Sequence, residues 1–288
     1  MQRLLCALSL VGAQGPAWSL DWMVSLIEGD AVVTDGTQRL VAKAGLRLAL
    51  GAIVETGDKT VLVRLEASDQ STFDLGAQTR VMLAPARFPP RSDRVPQLYV
   101  LQGWVKATAQ GGNEAGGLLT PTLEVLPFKG SFVLQALRSE NFVFVENGRA
   151  TLMERRAGAS ATAVNAGEFY SAQAGRQGSV APRPTPEWLK ALPGVYRDTI
   201  PSRAAALRDR PPQRELLPGP TYAQLADWLG AEATLRRPLA ARFTPLATDP
   251  QFRAALRSNM RNHPEWGPIL DPPPPPPPAP APPRVPPR

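Results

Sequence analysis

Residues 61–65 read Val-Leu-Val-Arg-Leu and place Val61, Val63 and Leu65 at alternate positions. Alternation with a period of two is typical of a β-strand with one buried face, because successive side chains of a strand point to opposite faces of the sheet. Residues 80–83, Arg-Val-Met-Leu, repeat the pattern. Similar short runs between glycine-containing turns extend on both sides and predict an all-β unit.

The strand pattern resumes after a polar stretch in the middle of the chain. Residues 110–117, Gln-Gly-Gly-Asn-Glu-Ala-Gly-Gly, have no apolar side chain except that of Ala115 and predict an exposed loop. Asn147-Gly148 separates two further apolar runs, and Asn-Gly is the strongest short signal for a hairpin turn. We therefore assign residues 20–181 to one β domain.

After residue 181 the pattern changes from strands to helices. Residues 182–186, Pro-Arg-Pro-Thr-Pro, predict a stiff, extended linker. Apolar spacing near 3.6 residues then predicts helices, with Asp249 as a helix N-cap and Pro250 at the first helical position. The predicted helices cover residues 187–192, 200–210, 222–229 and 249–263. We expect a small α-helical domain over residues 187–270 that folds independently of the β domain.

The last segment, residues 271–288, contains twelve prolines. Proline fixes φ and has no N–H to donate, so this segment cannot form a helix or a sheet. It predicts a disordered polyproline II tail of up to roughly 55 Å, at about 3.1 Å per residue. Such a tail suits the recruitment of a partner, and an inert extension is the alternative.

The N-terminal residues 1–19 have the pattern of a signal peptide. Arg3 precedes an apolar run over residues 4–13, which is shorter than the roughly 20 residues that span a bilayer. Ala17 and Ser19 provide small residues for cleavage before Leu20. We therefore predict a periplasmic protein; a buried N-terminal strand or helix is the alternative.

Cys6 is the only cysteine and lies within the predicted signal peptide. Cleavage would leave a mature chain that has no disulfide, no thiolate metal site and no cysteine nucleophile.

The formal net charge of +7 is distributed unevenly. Residues 20–150 carry 13 Lys and Arg against 14 Asp and Glu, whereas residues 186–270 carry 12 against 8. The excess describes either an arginine-rich solvated helical surface or a contact with anionic partners such as lipid headgroups, acidic glycans or an acidic protein face. No basic run with interleaved aromatic residues occurs, so we expect no nucleic-acid partner.

Several stretches of the β region carry a resemblance to a known family. They are residues 27–32 (Ile-Glu-Gly-Asp-Ala-Val), 48–57 (Leu-Ala-Leu-Gly-Ala-Ile-Val-Glu-Thr-Gly), the turn 69–71 (Asp-Gln-Ser) and residues 101–105 (Leu-Gln-Gly-Trp-Val). With these motifs the sequence resembles the FecR-like periplasmic domain proteins. Ala52 stands where aspartate is usual in that family, and Gln70 where glycine is usual.

The resemblance implies a fold and a compartment. The fold is a twisted β-solenoid-like roll, and the compartment is the periplasm. The shared motifs are structural glycines and polar turn residues, so the resemblance implies no active site. Family members that regulate sigma factors carry a cytoplasmic helical segment and a membrane span before this domain. Here the strand pattern directly follows the predicted signal peptide, which is an observation against an anti-sigma role.

His263 is the only histidine, and it is followed by Pro264 at the end of a predicted helix. This position predicts a helix-end cap or a surface histidine rather than a catalytic base. A zinc site needs several His or Cys ligands, so one histidine argues against it. No Gly-x-Ser-x-Gly elbow and no phosphate-binding loop in the required context are present.

Two other sets of residues have a structural and a functional interpretation. Six carboxylates of the β region either cap their own turns or form a carboxylate pair or Ca²⁺ site: Asp30, Asp35, Glu55, Asp58, Asp69 and Asp74. Three tryptophans of the helical region either form its core or stack against sugars: Trp188, Trp228 and Trp266. We favour the structural interpretation of both sets, and assign no catalytic, cofactor-binding or metal-ligating residue.

The sequence therefore predicts a secreted, non-enzymatic envelope protein that binds or scaffolds a partner, with a role in envelope signalling. The partner is an envelope protein or a cell-wall polymer. The alternative is a polysaccharide- or cell-wall-active enzyme that uses a carboxylate pair.

Overall fold

The computed structural model describes residues 21–84, 97–110, 112 and 114–272. The predicted signal peptide and almost all of the predicted tail lie outside these residues. Strands account for 38% and helices for 24%, so the prediction of a mainly β chain with a small helical part is confirmed.

The strands belong to one hydrogen-bonded sheet system. Their bounds are β1 Trp22–Glu28, β2 Ala31–Asp35, β3 Gln38–Val41, β4 Arg47–Leu48, β5 Ile53–Thr56, β6 Leu62–Ala67, β7 Thr72–Leu75, β8 Arg80–Leu83, β9 Leu98–Thr108, β10 Leu118–Leu119, β11 Leu123–Val125, β12 Lys129–Ala136, β13 Glu140–Glu154, β14 Thr162–Asn165, β15 Phe169–Gln173, β16 Ser179–Ala181 and β17 Leu216–Leu217.

The helices follow β16. They are α1 Pro186–Ala191, α2 Ala204–Leu207, α3 Tyr222–Leu229, α4 Ala233–Phe243, α5 Pro250–Ser258 and α6 Gly267–Leu270. Short 3₁₀ turns lie at Gly194–Arg197, Thr244–Thr248, Met260–Asn262 and Pro264–Trp266. None of the helices in the described ranges has the length and apolarity that crossing a membrane requires.

Strand β9 connects two halves of the sheet system. On one edge it pairs with β8 and β7, and from there the first sheet runs in the antiparallel order β3–β2–β5–β8–β9–β7–β6–β1–β4. On its other edge β9 pairs with β10 and β12, and the ring β9–β10–β11–β13–β12 closes a five-stranded barrel. Strands β14, β15 and β16 extend the sheet outward from β13.

This arrangement corrects the prediction of a solenoid-like roll. Successive turns of a solenoid stack one repeat on the next. Here every ladder among the described strands is antiparallel except the short pairing of β9 with β10. Antiparallel neighbours need only short turns, and the glycine-containing turns that the sequence shows are of that kind.

The predicted hairpin turn at Asn147-Gly148 is wrong, because both residues lie inside the long strand β13. Gly148 has φ of +76°, and a β-carbon there would lie 2.4 Å from the carbonyl oxygen of Lys129 on β12. The register between β12 and β13 shifts between Ser131 and Phe132. This shift leaves Glu146 without a partner on β12, so Asn147-Gly148 continues the strand beside a β-bulge instead of forming a turn.

The exposed loop predicted at residues 110–117 is confirmed only in part. Gly112 and Glu114 are exposed, whereas Ala115 is buried and exchanges backbone hydrogen bonds with Phe128. Gly117 is also buried, and a β-carbon there would lie 2.2 Å from the carbonyl oxygen of Val125. The second half of the run is therefore glycine-rich because two backbones meet closely.

Three of the predicted helices form, and the cap predicted at Asp249 is confirmed. The Thr185 side chain caps α1, Thr221 and Gln224 form a capping box on α3, and Asp249 caps α5 with Pro250 at its first position. The predicted helix over 200–210 is reduced to α2. Helix α4 was not predicted, because Arg236, Arg237 and Pro238 interrupt its apolar pattern.

The helical part shares two hydrophobic clusters with the β part. Ile53, Met82, Tyr99 and Leu119 of the sheet pack with the tryptophan, leucine and phenylalanine side chains of α3, α4 and α5. Trp188 of α1 packs against Trp104 and Phe169, with ring centroids 5.2 and 5.1 Å apart. These clusters argue against the predicted independence of the two parts.

Two further contacts fix the helical part on the first sheet. The Arg242 guanidinium at the end of α4 donates to the carbonyl oxygens of Thr34, Gly36 and Gly51 at 2.7–2.8 Å. Residues 198–217, called the strap below, cross the sheet and end in β17, which pairs with β3.

Candidate binding cleft

A cleft with a volume of about 980 Å³ lies between strand β9 and the helical part. Its floor is formed by Tyr99, Leu101 and Gln102, and the opposite wall by α3 and the segments around Arg236 and Arg261. This volume is at the upper end of the range typical of small-molecule sites, roughly 300–1,000 Å³.

Helix α3 is positioned by the buried Trp228. Its indole N–H donates to Glu55 at 3.2 Å, and its ring lies 6.4 Å from that of Tyr99. Burial raises the pKa of Glu55, although Trp228 and Arg80 act against the shift. Arg80 also forms an ion pair with Asp227 at the edge of the cleft.

The start of helix α4 is held by a bidentate ion pair. The two terminal nitrogens of the Arg155 guanidinium, Nη1 and Nη2, donate to the two carboxylate oxygens of Glu232 at 2.5 Å, and Nη1 also donates to the carbonyl oxygen of Thr120. Burial alone would lower the pKa of Arg155, but Glu232 outweighs it and the pKa is raised. Burial raises the pKa of the neighbouring Tyr99 hydroxyl, so this group stays neutral.

The charges of the cleft are mostly paired, and the exceptions are positive. Asp227 and Glu232 are bound by Arg80 and Arg155, and Arg236 is bound by Glu265 at 3.0 Å. Arg138 and Arg261 line the same cleft and are exposed. Within the described ranges neither forms an ion pair, so the cleft presents two available positive charges.

His263 lies directly behind the cleft wall and is fully buried, with 0% exposure. The predicted helix-end position is confirmed, because the backbone N–H of His263 caps the 3₁₀ turn Met260–Asn262, but the predicted surface position is wrong. Its Nε2 lies 3.0 Å from the hydroxyl of Tyr222, and its Nδ1 has no hydrogen-bond partner in the described chain. Burial lowers the pKa of His263. Tyr222, whose ring also lies against it, is distant in sequence, so the burial could not be read from the local pattern.

The six carboxylates that the sequence analysis considered do not meet in one place. Asp74 forms a buried ion pair with Arg64 at 2.6 Å, and Asp69 accepts hydrogen bonds from Ser71 in its own turn. Glu55 lies at the contact with Trp228, and Asp30, Asp35 and Asp58 lie at or near turns. Among the residues that the structure describes, no group of three or more His, Cys, Asp or Glu side chains is placed to hold a metal ion.

The three tryptophans of the helical region are core residues, as the structural interpretation predicts. Trp188, Trp228 and Trp266 have exposures of 6%, 0% and 1%. They pack against other aromatic rings of the chain and leave no indole face for a sugar. The cleft residues Arg138, Gln102 and Arg261 were not selected from sequence, because no local pattern connects the three segments that carry them.

Two solved structures are similar to part of this chain. Both are crystal structures of a candidate anti-sigma factor from Parabacteroides distasonis ATCC 8503, with 16% sequence identity and a TM-score of 0.39. The match covers 49% of this chain and 64% and 65% of the two crystallised chains, so it spans less than two thirds of their length. No protein family model and no curated protein matches the sequence.

Proposed function

We propose that this chain is an exported, non-enzymatic protein of the cell envelope that binds a partner in the cleft between its β part and its helical part. The β part is a FecR-like module, and the role of the protein is in envelope signalling. The observation that carries the binding function is the cleft itself, since its two carboxylates are neutralised by arginines while Arg138 and Arg261 stay available.

The backbone at the motif positions supports the FecR-like assignment. Gly29 and Gly103 have φ of +112° and +108°, and a β-carbon on either would lie within 2.6 Å of a backbone atom. Gln70, which stands where the family usually has glycine, has φ of +67° in the turn between β6 and β7. A left-handed conformation is unfavourable for a residue with a β-carbon, so this turn has the geometry for which glycine is suited.

One observation favours the enzymatic alternative. Asp227 and Glu232 line the same cleft, as a polysaccharide-cleaving carboxylate pair would. However, both oxygens of Glu232 accept from Arg155, and Asp227 is bound by Arg80. A general acid or base needs its oxygen available to the substrate, so this arrangement supports binding rather than hydrolysis.

Photo-crosslinking in intact cells tests the proposed function. A p-benzoylphenylalanine at position 102, on the cleft floor, is expected to form adducts with an envelope component. The same group at position 149, an exposed site near the bulge of β13 and outside the cleft lining, is the matched control.

The cellular fractions of the same experiment test export. N-terminal sequencing of the periplasmic protein is expected to begin at Leu20. Cytoplasmic protein with an intact Met1, or equal adduct formation at positions 102 and 149, contradicts the proposal.

A further inference from the structure

A second groove continues the cleft along the surface of the barrel. It has a volume of about 400 Å³, and its lining includes Gln78, Gln135 and the exposed Leu137. Gln102 and Arg138 line both cavities, so the two are contiguous. We call them together the combined groove; its shape fits an elongated ligand.

The combined groove has positive charge at two separate places. Arg138 lies in the turn between β12 and β13, where the two cavities meet, and Arg261 lies on the opposite wall, in the helical part. Asp227 and Glu232 do not cancel these charges, because other arginines already bind them. Charge-assisted hydrogen bonds from arginine favour carboxylates or phosphates, so a fitting ligand carries more than one anionic group.

Side-chain amides supply the other polar contacts of the combined groove: Gln78, Gln102, Gln135, Asn259 and Asn262. For Gln78, Gln135 and Asn262, the structure shows no hydrogen bond from the side-chain amide within the described chain. An amide side chain both donates and accepts, which matches the hydroxyl groups of a sugar.

The backbone beneath the groove does not suit an added peptide strand. Strand β9 is paired along one edge with β8 and β7. On its other edge, β10 pairs with residues 98–99 and β12 with residues 103–108, which leaves only residues 100–102 between them. Recognition of an extended peptide by strand addition needs an exposed sheet edge, and this gap is closed at both ends.

We infer that the combined groove binds an oligosaccharide that carries carboxylate groups. Arg138 and Arg261 hold the carboxylates, and the amide side chains hold the hydroxyl groups. This inference rests on the proposed binding function and names the ligand of the same site.

Isothermal titration of the exported full chain with an oligomer of galacturonic acid tests the inference. Saturable binding is expected, and a glucose oligomer of equal length is expected to bind at least about tenfold more weakly, because each lost charge-assisted hydrogen bond costs about a factor of ten or more in affinity. Arg138→Gln and Arg261→Gln are each expected to weaken binding of the galacturonic acid oligomer by a similar factor.

Arg149→Gln is the matched control, because Arg149 is exposed and does not line the combined groove. It is expected to leave the affinity for the galacturonic acid oligomer unchanged. Thermal midpoints of all three variants identify any change that comes from folding.

Three outcomes overturn the inference: no binding of the galacturonic acid oligomer, equal binding after substitution of both groove arginines, or tighter binding of a polyglutamate peptide, which would identify an acidic peptide as the ligand. If position 102 still forms adducts in cells, the binding function stands and only the ligand class is wrong.

Discussion

At the scale of single residues, the buried His263 predicts a pH dependence of stability. Burial makes protonation harder in the folded chain than in the unfolded chain, where the pKa is near 6.5. Arg236 opposes protonation further, and Glu265 partly offsets it. The unfolded state therefore binds more protons below that pH. The free energy of unfolding therefore decreases as the pH falls from about 6.5 through the pKa of His263 in the folded chain, which is lower. For one proton, the decrease is at most about 1.4 kcal/mol per pH unit.

Thermal midpoints of the wild type and of His263→Asn between pH 8 and pH 5 test this prediction. The variant cannot titrate at this position, so the difference between the two midpoints should shrink as the pH falls. Carboxylates elsewhere contribute equally to both proteins and cancel in the comparison. The prediction is wrong if the difference between the two thermal midpoints stays constant from pH 8 to pH 5.

At the scale of elements, the strap depends on a buried carboxylate of β6. Glu66 accepts hydrogen bonds from the Ser202 hydroxyl and from the backbone N–H of Arg203 at 2.9 Å. Burial alone would raise the pKa of Glu66, but these hydrogen bonds outweigh it and the pKa is lowered. Glu66→Gln should therefore destabilise the chain by about 1.5–3 kcal/mol, the range for hydrogen bonds to a charged group.

Limited trypsin digestion shows whether this loss is local to the strap. Cleavage after Arg203 and Arg208 is expected to accelerate in Glu66→Gln, because the strap opens more often than the barrel. Glu28→Gln, at the exposed end of the neighbouring strand β1, is the control and should leave the rate unchanged. Unchanged cleavage in Glu66→Gln means that other contacts hold the strap.

At the scale of the whole molecule, the shared clusters predict that the β part and the helical part unfold together. A fragment of residues 20–181 would expose Ile53, Met82, Tyr99 and Leu119, which the helices cover in the full chain. We expect a single urea transition for the full chain, and a less stable or aggregating fragment. If the fragment unfolds at the same urea concentration as the full chain, the two parts fold independently, as the linker at residues 182–186 predicts.

The sequence predicts local features of this fold well, because they depend on neighbours along the chain. Asp249 and Pro250 identify the start of α5 without any knowledge of the tertiary structure. Asn147-Gly148 indicates a positive φ, but whether the chain turns there or continues as a strand beside a bulge depends on the distant strand β12. Helix α4 exists because Leu235, Leu239 and Phe243 are buried by the tertiary structure, which overrides Pro238.

The cleft could not be predicted, because its residues come from distant parts of the chain. Gln102 is on β9, Arg138 in the turn after β12, and Arg261 after α5. Each is an ordinary polar residue in its own segment, and only the docking of the helices on β9 brings them together.

Helix α4 is attached to the β part in two different ways, one at each end. At its start, Glu232 is bound by Arg155, which is a pair of opposite charges. At its end, roughly 15 Å away at about 1.5 Å per residue, Arg242 is bound by three neutral carbonyl oxygens. Salt screens the attraction between opposite charges, whereas contacts with neutral carbonyls respond less. Rising ionic strength should therefore weaken the attachment at the cleft end of α4 more than the attachment at Arg242, while the hydrophobic cluster keeps the helix on the sheet.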